Sequence, residues 1–148
     1  MELLLRIYGK YQNKINYDVI ISDIKLLDAF DFLSKHHNSY LVDTRSKEEW
    51  LSTGIPDLSS INKEVICIEW SQIIDQNFIN CYKKLLFRKF NKNDNLFFIC
   101  RSGVRSLMAA KLALNFGFKN CYNVYEGYNN QNHSNWKMKL PTRSFMHR

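Results

Sequence analysis

Short apolar stretches alternate with helical patterns along most of this chain, and that alternation constrains the fold more than any other feature. The apolar stretches lie at 18–22, 40–43, 64–70, 95–99 and 121–125. Strands that are apolar throughout and separated by helices are typical of a parallel sheet covered on both faces. We therefore predict an α/β fold with a central, mainly parallel sheet of five strands and helices on both faces.

Helix signals fill the gaps between the predicted strands. Ser22 is a candidate N-cap for a helix whose apolar residues share one face, namely Ile24, Leu27, Phe30 and Leu33. Ser46 and Glu49 have the spacing of a capping box, which predicts a short helix after Ser46. Longer helices are predicted over 75–90 and 105–116, the second ended by Gly117, with a last helical turn near Trp136.

Composition limits the classes of partner. The 148 residues are enough for one domain, and the formal net charge is +7. Basic residues cluster in the segment 83–92, and no acid occurs between Asp75 and Asp94. We interpret this segment as a solvated basic face, and the alternative interpretation is a surface for an acidic partner or RNA. We do not expect a nucleic-acid partner.

Cysteine usage and hydropathy indicate a cytoplasmic protein. No apolar stretch approaches the roughly 18 residues of a membrane span, and the first residues lack a secretory pattern. The cysteines are widely spaced, without zinc-binding spacing, so we expect free thiols in a reducing compartment and no metal site: Cys67, Cys81, Cys100 and Cys121.

One of these cysteines follows a predicted strand and precedes a predicted helix. Cys100 is followed by Arg101, Gly103 and Arg105 before the helical pattern begins. A helix N-terminus, fixed positive charge and a turn whose amides point inward all favour a thiolate over a thiol. The alternative is an inert buried cysteine, but such a residue does not need two arginines and a glycine beside it.

Other polar residues also follow predicted strands. They are Asp43 and Arg45, Glu69 and Trp70, and Glu126 and Gly127. Because the carboxyl ends of parallel strands meet at one edge of a sheet, we expect these residues to converge with Cys100 in a functional site.

The run from Cys100 to Ser106 strongly resembles the active-site loop of rhodanese-type sulfurtransferases. Three other parts of the chain are also similar to segments of that family. They are 41–45 followed by 48–50, then 54–58, and last 122–127 followed by Trp136 and 140–141. The resemblance implies a rhodanese-like domain over 18–141. It leaves 1–17 as an N-terminal extension of uncertain structure and 142–148 as a basic C-terminal tail.

The resemblance also implies a reaction. Cys100 would take the outer sulfur of thiosulfate or another small anionic donor, become a persulfide and pass the sulfur to cyanide, a thiol or a protein thiol. No cofactor or metal would be needed. The persulfide and the anion would be bound by the loop residues Arg101, Ser102, Gly103, Val104, Arg105 and Ser106. Phosphatase loops have five residues between cysteine and arginine, whereas Cys100 and Arg105 enclose four, which favours a persulfide over a phosphate.

Several residues around the loop receive predicted roles. We expect Asp43 and Arg45 to support the loop, with Asp43 as the inward partner of Arg105. Candidate pocket-lining residues are Trp70, Glu126, Gly127 and Tyr128. The resembled family has glycine where this chain has Tyr128, so we expect added bulk near the pocket. An alternative is that His133 pairs with Cys100 as the cysteine–histidine couple of a hydrolase, but its polar surroundings favour an exposed loop residue.

Three other functions fit parts of the sequence. A persulfide carrier would use the same Cys100, with the basic segment 83–92 as its docking surface and little turnover of small substrates. A non-catalytic interaction module would not need the intact cysteine, glycine and arginines. A phosphatase or an arsenate-reductase-like enzyme is disfavoured by the length of the loop.

Overall fold

The computed structural model describes residues 15–145. Residues 1–14, which make up most of the predicted N-terminal extension, lie outside the described residues, and so do residues 146–148 of the predicted tail.

A five-stranded parallel sheet forms the centre of the fold, as predicted. Its spatial order is β1-β6-β5-β2-β4, where the central strands β2 (Ser39–Asp43) and β5 (Asn95–Ile99) pair along five residues. The others are β1 (Ser22–Ile24), β4 (Ile66–Cys67) and β6 (Asn120–Val124). Because β5 and β6 end side by side, Cys100 and the residues after Val124 reach the same edge of the sheet.

Helices cover both faces of the sheet. Buried residues of α3 (Gln76–Lys89) and α4 (Val104–Asn115) pack on one face with Val42, Leu96 and Phe98. On the other face, α1 (Leu26–Lys35), α2 (Lys47–Thr53) and α5 (Trp136–Lys139) pack against Leu41, Phe97 and Ile99. The alternation of strand side chains between two apolar layers explains why these strands are apolar throughout.

The predicted first strand is wrong. The apolar residues before Ser22 favour a strand, but Ile20 is 92% exposed and the strand lies at Ser22–Ile24. The register of β1 is determined by its pairing with β6, in which Ser22 lies opposite Tyr122. Helix α1 consequently begins after Lys25 rather than after Ser22, and Leu27 is exposed.

The predicted third strand is longer than the paired one. Within the predicted strand 64–70, only Ile66 and Cys67 pair with β2. Beyond them the backbone still donates from Ile68 to Asp43 O at 2.9 Å and from Trp70 to Thr44 O at 3.2 Å. The segment after β4 therefore follows the end of β2 and brings Trp70 to the edge where Cys100 lies.

A small antiparallel ribbon was not predicted. Strand β3 (Ile55–Pro56) pairs with β7 (Thr142–Arg143), so ordered structure continues into the predicted tail. A 3-10 turn at Ser59–Ile61 follows β3. None of the helices formed by residues 15–145 has the length and apolar character needed to cross a membrane.

Helix α3 begins with a side-chain cap whose removal tests how the fold is stabilised. The carboxylate of Asp75 accepts from the Phe78 N–H at 2.9 Å. We expect Asp75→Ala to lower the free energy of unfolding by about 1 kcal/mol, because the Phe78 N–H, which has no partner within the helix, loses its side-chain acceptor. Lys84→Ala, on the exposed side of the same helix, should change it by less than about 0.5 kcal/mol. Urea unfolding of both variants checks this, and equal losses would contradict it.

Candidate active site

The loop after β5 turns the chain from the sheet into helix α4. Cys100 is the first residue after the strand, and α4 begins at Val104. Gly103 precedes the helix with φ at 89°, in the left-handed region that favours glycine. A Cβ atom at Gly103 would lie 2.8 Å from the carbonyl oxygen of Tyr125. The glycine therefore permits both the turn and its close approach to the chain after β6.

The sulfur of Cys100 lies inside this turn. Cys100 is 1% exposed, and its Sγ accepts from the backbone N–H of Gly103 at 3.1 Å. The hydroxyl oxygen of Ser106 lies 3.2 Å from the same sulfur. The sulfur is thus placed next to the N-terminus of a helix of twelve residues, a position that favours negative charge.

The chain after β6 supports the loop from behind. The N–H of Tyr128 donates to the carbonyl of Cys100 at 2.8 Å. Gly127 has φ at 76°, and a Cβ atom there would meet the Arg101 carbonyl oxygen at 2.2 Å. Gly127, a predicted pocket residue, is buried, and its lack of a side chain lets two backbone segments touch.

The predicted pocket residue Glu126 has a different neighbour. Its carboxylate accepts from the N–H of Leu26 at 2.7 Å, at the first residue of α1. An N-terminal helix N–H has no partner within the helix, so Glu126 supplies one from another element. Glu126 therefore connects the end of β6 to the start of α1.

A buried ion pair lies beside the loop, at the end of β2. The guanidinium of Arg45 bonds Asp43 through Nη2 at 2.8 Å and through Nε, and both side chains are buried. It also donates to Thr53 Oγ1 at 2.9 Å and to the carbonyl of Gly54 at 2.8 Å. Between the two partners, Thr44 donates to the Ile99 carbonyl through its N–H and its hydroxyl. The segment from Asp43 to Arg45 therefore holds the residue that precedes Cys100.

Tyr128 does not line the pocket, so that prediction is wrong. It is fully buried, with the Arg45 guanidinium 3.7 Å above the centre of its ring. Its hydroxyl donates to the Thr53 carbonyl at 2.6 Å. Burial raises the pKa of the Tyr128 hydroxyl. Its bulk fills the space beside the ion pair, where a cation and a ring face attract each other.

Arg105 pairs with Glu49. The predicted partner was Asp43, and that prediction is wrong. The two Nη atoms of Arg105 bond the two carboxylate oxygens of Glu49 at 2.6 and 3.0 Å. Partial burial would raise the pKa of Glu49, but hydrogen bonds from Arg105 and Ser46 outweigh it and lower the pKa to about 2. The bond with Glu49 in turn raises the pKa of Arg105. Asp43 is unavailable because Arg45, two residues away, already occupies it.

Glu49 has a second role in the same geometry. It accepts from the backbone N–H of Ser46 at 3.1 Å, and the Ser46 side chain accepts from the Glu49 N–H, which confirms the predicted capping box. One carboxylate therefore connects the start of α2 to the start of α4.

An open cleft of about 790 Å³ lies against this part of the loop. Trp70 lines it together with Phe78 of α3, and Arg101 and Arg105 line it from the loop. Three carboxylates, those of Glu48, Glu49 and Glu69, also lie along it. Arg101 is exposed, whereas Arg105 is half-buried in its pair with Glu49.

The other candidate nucleophile partners lie apart from this arrangement. His133 is exposed, and its ring packs edge-on against Tyr125. Cys81 is exposed on α3, and all four cysteines are free thiols. Burial raises the pKa of Cys67 and of Cys121 to about 12.

Asn123 is a site residue that the sequence analysis did not identify. It is 2% exposed in β6, and its Oδ1 accepts from the Ser106 hydroxyl at 2.6 Å. A signal was present, because Asn123 is the one amide in the strand predicted over 121–125, and an amide in a buried apolar strand requires polar partners. Glu49 was identified only as a helix cap, and its pairing with Arg105 depends on how α2 and α4 are arranged in space.

The backbone contact at Gly127 can be tested against a glycine with similar geometry. Gly117 also has a positive φ, at 102°, but a Cβ atom there would meet only the flexible end of Lys92 at 3.3 Å. We expect Gly117→Ala to lower the free energy of unfolding by about 1–2 kcal/mol through backbone strain alone. Gly127→Ala should lower it by roughly twice as much or more, because backbone atoms must also move. Thermal unfolding measures both, and similar losses would contradict the contact.

The pair of Glu49 and Arg105 predicts a pH dependence of stability. The folded-state pKa of about 2 lies below the ordinary value of 4.5, so the pair stabilises the fold fully above pH 4.5. This stabilisation disappears as the pH falls from 4.5 to about 2. Glu49→Gln keeps a cap acceptor but loses the charge, so we expect a loss on the order of 1 kcal/mol at pH 7 and a flatter profile at acid pH.

Acid unfolding monitored by circular dichroism measures that profile. Glu48→Gln is the matched control, since Glu48 is the exposed neighbour of Glu49 in α2. A wild-type slope retained by Glu49→Gln would show that other carboxylates cause the acid sensitivity.

The family is shown by comparison with known proteins. A family model described as the STR4 middle domain matches residues 23–145. An uncharacterized protein of Rickettsia conorii is 37% identical over 118 residues, covering 79% of this chain and 92% of that protein. The rhodanese domain-containing protein CG4456 of Drosophila melanogaster is 37% identical over 94 residues, covering 62% of this chain and 79% of that protein.

Similarity extends to part of a larger protein and to a solved structure. The adenylyltransferase and sulfurtransferase UBA4 of Debaryomyces hansenii is 32% identical over 128 residues, which are 82% of this chain but 26% of that protein. The crystal structure of Rv0390 from M. tuberculosis is similar with a TM-score of 0.69 and 33% identity, covering 84% of this chain and 98% of that one. The chain belongs to the rhodanese-like sulfurtransferase family.

Proposed function

We propose that this protein transfers sulfane sulfur from thiosulfate, or from a similar small anionic donor, to a thiophilic acceptor through a persulfide on Cys100. The observation that carries the proposal is the position of the Cys100 sulfur. It accepts from the Gly103 N–H at the N-terminus of α4, in a loop whose Arg101 lines an open cleft. This arrangement favours a sulfur that carries negative charge both before and after it receives the transferred atom.

In the first step, the Cys100 thiolate attacks the outer sulfur of thiosulfate. A sulfur–sulfur bond forms at Cys100 while the bond within thiosulfate breaks, and its electron pair leaves with sulfite. Arg101 would attract the dianion and stabilise the departing charge from the exposed side of the cleft. Backbone N–H groups of the loop would bind the terminal sulfur, which now carries the negative charge.

In the second step, the acceptor takes the outer sulfur from Cys100. A thiolate or cyanide attacks it, the sulfur–sulfur bond to Cys100 breaks, and its electron pair returns to Sγ as a thiolate. The products are a new persulfide or thiocyanate and the original Cys100 thiolate. No external oxidant or reductant is needed, because the sulfur atom only changes its partner.

The pairing of Arg105 supports sulfur transfer over phosphate chemistry. Both of its Nη atoms are bonded to Glu49, so its guanidinium already holds a carboxylate. A phosphate would have to displace that carboxylate and would then face the negative charge of Glu49. Four residues between Cys100 and Arg105 also make a smaller loop than the five of phosphatases.

A persulfide carrier is the second candidate function. Val104 is 68% exposed at the first residue of α4, next to the loop, and offers an apolar contact to an approaching protein thiol. The basic segment 83–92 is a poor docking surface for such an acceptor. The backbone carbonyl of its last residue, Lys92, accepts from the Lys119 N–H next to the start of β6, at the sheet edge opposite to Cys100.

We infer that the protein works in a reducing compartment, the cytoplasm. Cys67, Cys81 and Cys121 are free thiols, and only Cys100 lies in the loop. In an oxidising compartment an exposed thiol such as that of Cys81 would be prone to pairing between molecules.

Persulfide formation can be tested by the intact mass of the protein after treatment with thiosulfate and desalting. We expect a gain of one sulfur atom per chain that is removed by cyanide. Cys100→Ser should show no gain, whereas Cys81→Ser, which removes an exposed thiol outside the loop, should gain as the wild type does. A gain retained in Cys100→Ser would overturn the assignment, and no gain in any variant would overturn thiosulfate as donor. Rapid turnover with cyanide supports the enzyme, and loading without turnover supports the carrier.

A further inference from the structure

Asn123 is held in one orientation by two acceptors. Its Nδ2 donates to the Gly103 carbonyl at 3.1 Å and to the Asp23 carboxylate at 3.2 Å. A flipped amide would place its carbonyl oxygen against these two oxygen acceptors, which disfavours that orientation. The Oδ1 atom of Asn123 therefore points to the Ser106 hydroxyl, 2.6 Å away.

Ser106 has one hydroxyl proton and two acceptors for it. The Asn123 oxygen lies at 2.6 Å, and the Cys100 sulfur lies at 3.2 Å. The short contact to oxygen is the stronger hydrogen bond for a neutral hydroxyl, so the proton lies on the side of Asn123. Towards Cys100, Ser106 then presents a lone pair, which suits a neutral S–H group and gives no stabilisation to a thiolate.

We propose that Asn123 is a positioning residue that competes with Cys100 for the Ser106 hydroxyl proton and thereby controls how readily Cys100 becomes a thiolate. When Cys100 loses its proton, the hydroxyl must rotate away from Asn123 to donate to the sulfur. When Cys100 carries the transferred sulfur, the charge moves to the outer atom and the hydroxyl returns to Asn123. This role in sulfur transfer rests on the function proposed above.

Asn123 thus favours the thiol and the persulfide over the free thiolate. In the second step Cys100 leaves as a thiolate, and a less stabilised thiolate leaves more slowly. The amide in β6 would consequently lengthen the time for which Cys100 holds its sulfur. A long-lived persulfide suits an acceptor that arrives rarely, such as a protein thiol.

Other charged groups near the loop must stay unchanged for this effect to be measured. They lie on every element packed around Cys100 and include Arg101, Arg105, Asp43, Arg45, Glu49, Asp23 and Glu126. Replacing Asn123 or Ser106 removes no charge. A shift in the ionisation of Cys100 that disappears when the Ser106 hydroxyl is also removed therefore reports on the hydroxyl proton.

The test follows the alkylation rate of Cys100 by iodoacetamide against pH, with peptide mass spectrometry as readout. Cys81→Ser serves as the background, because Cys67 and Cys121, whose pKa burial raises to about 12, react little at neutral pH. We expect Asn123→Leu to lower the pH midpoint by about one unit, the size of a charge-assisted hydrogen bond. Ser106→Ala alone should shift it much less, and in the double variant the effect of Asn123→Leu should vanish.

Two further measurements keep the test decisive. Asn120→Leu places the same substitution at the opposite end of β6 and should leave the midpoint unchanged. If Asn123→Leu fails to fold, Ser106→Ala alone tests the proposal. A rise of about one unit in its pH midpoint of alkylation would show that the hydroxyl already donates to Cys100 and would overturn the proposal. A shift by Asn123→Leu that persists without Ser106, or no shift at all, would also overturn the proposal. Alkylation needs no sulfur donor, so this result is independent of whether thiosulfate loads Cys100.

Discussion

The buried guanidinium of Arg45 is the interaction on which the rest of the site depends. It is 1% exposed and carries a full charge, which a protein interior tolerates only when the charge is paired and its N–H groups are bonded. Asp43, Thr53 and Gly54 supply those partners, and the Tyr128 ring covers the guanidinium. These contacts join the end of β2 to α2 and to the chain after β6, and Cys100 lies at the point where these elements meet.

Local signals explain what could be predicted from the sequence. The apolar run at Asn95–Ile99 is a central strand with the predicted bounds, because burial on both faces leaves no room for polar residues. The cap at Ser46 depends on bonds within a few residues, so the start of α2 follows from spacing alone. The position of Cys100 before a helix is likewise a property of one contiguous segment.

Long-range pairing explains what could not be predicted. The edge strand β1 has no local signal for its register, which its pairing with β6 determines. Asp43 satisfies Arg45, two residues away, and Arg105 consequently pairs with Glu49 on another helix. The Tyr128 ring lies against the inward guanidinium of Arg45, a contact between residues far apart in the sequence. The partners of these side chains are therefore decided by how the elements pack, which the sequence of any one segment does not contain.

Each of the two glycines of the site leaves room for a backbone carbonyl of the opposite segment. Gly103 leaves room for the Tyr125 carbonyl, and Gly127 leaves room for that of Arg101, so the loop and the chain after β6 interlock through backbone atoms. A side chain gained at either position would meet backbone atoms, and no second substitution can shorten a backbone. The rim of the cleft, built from side chains such as those of Glu48 and Glu69, can drift towards new donors and acceptors. We expect evolution to keep both glycines, because replacing either one would disturb the contact between these two backbone segments.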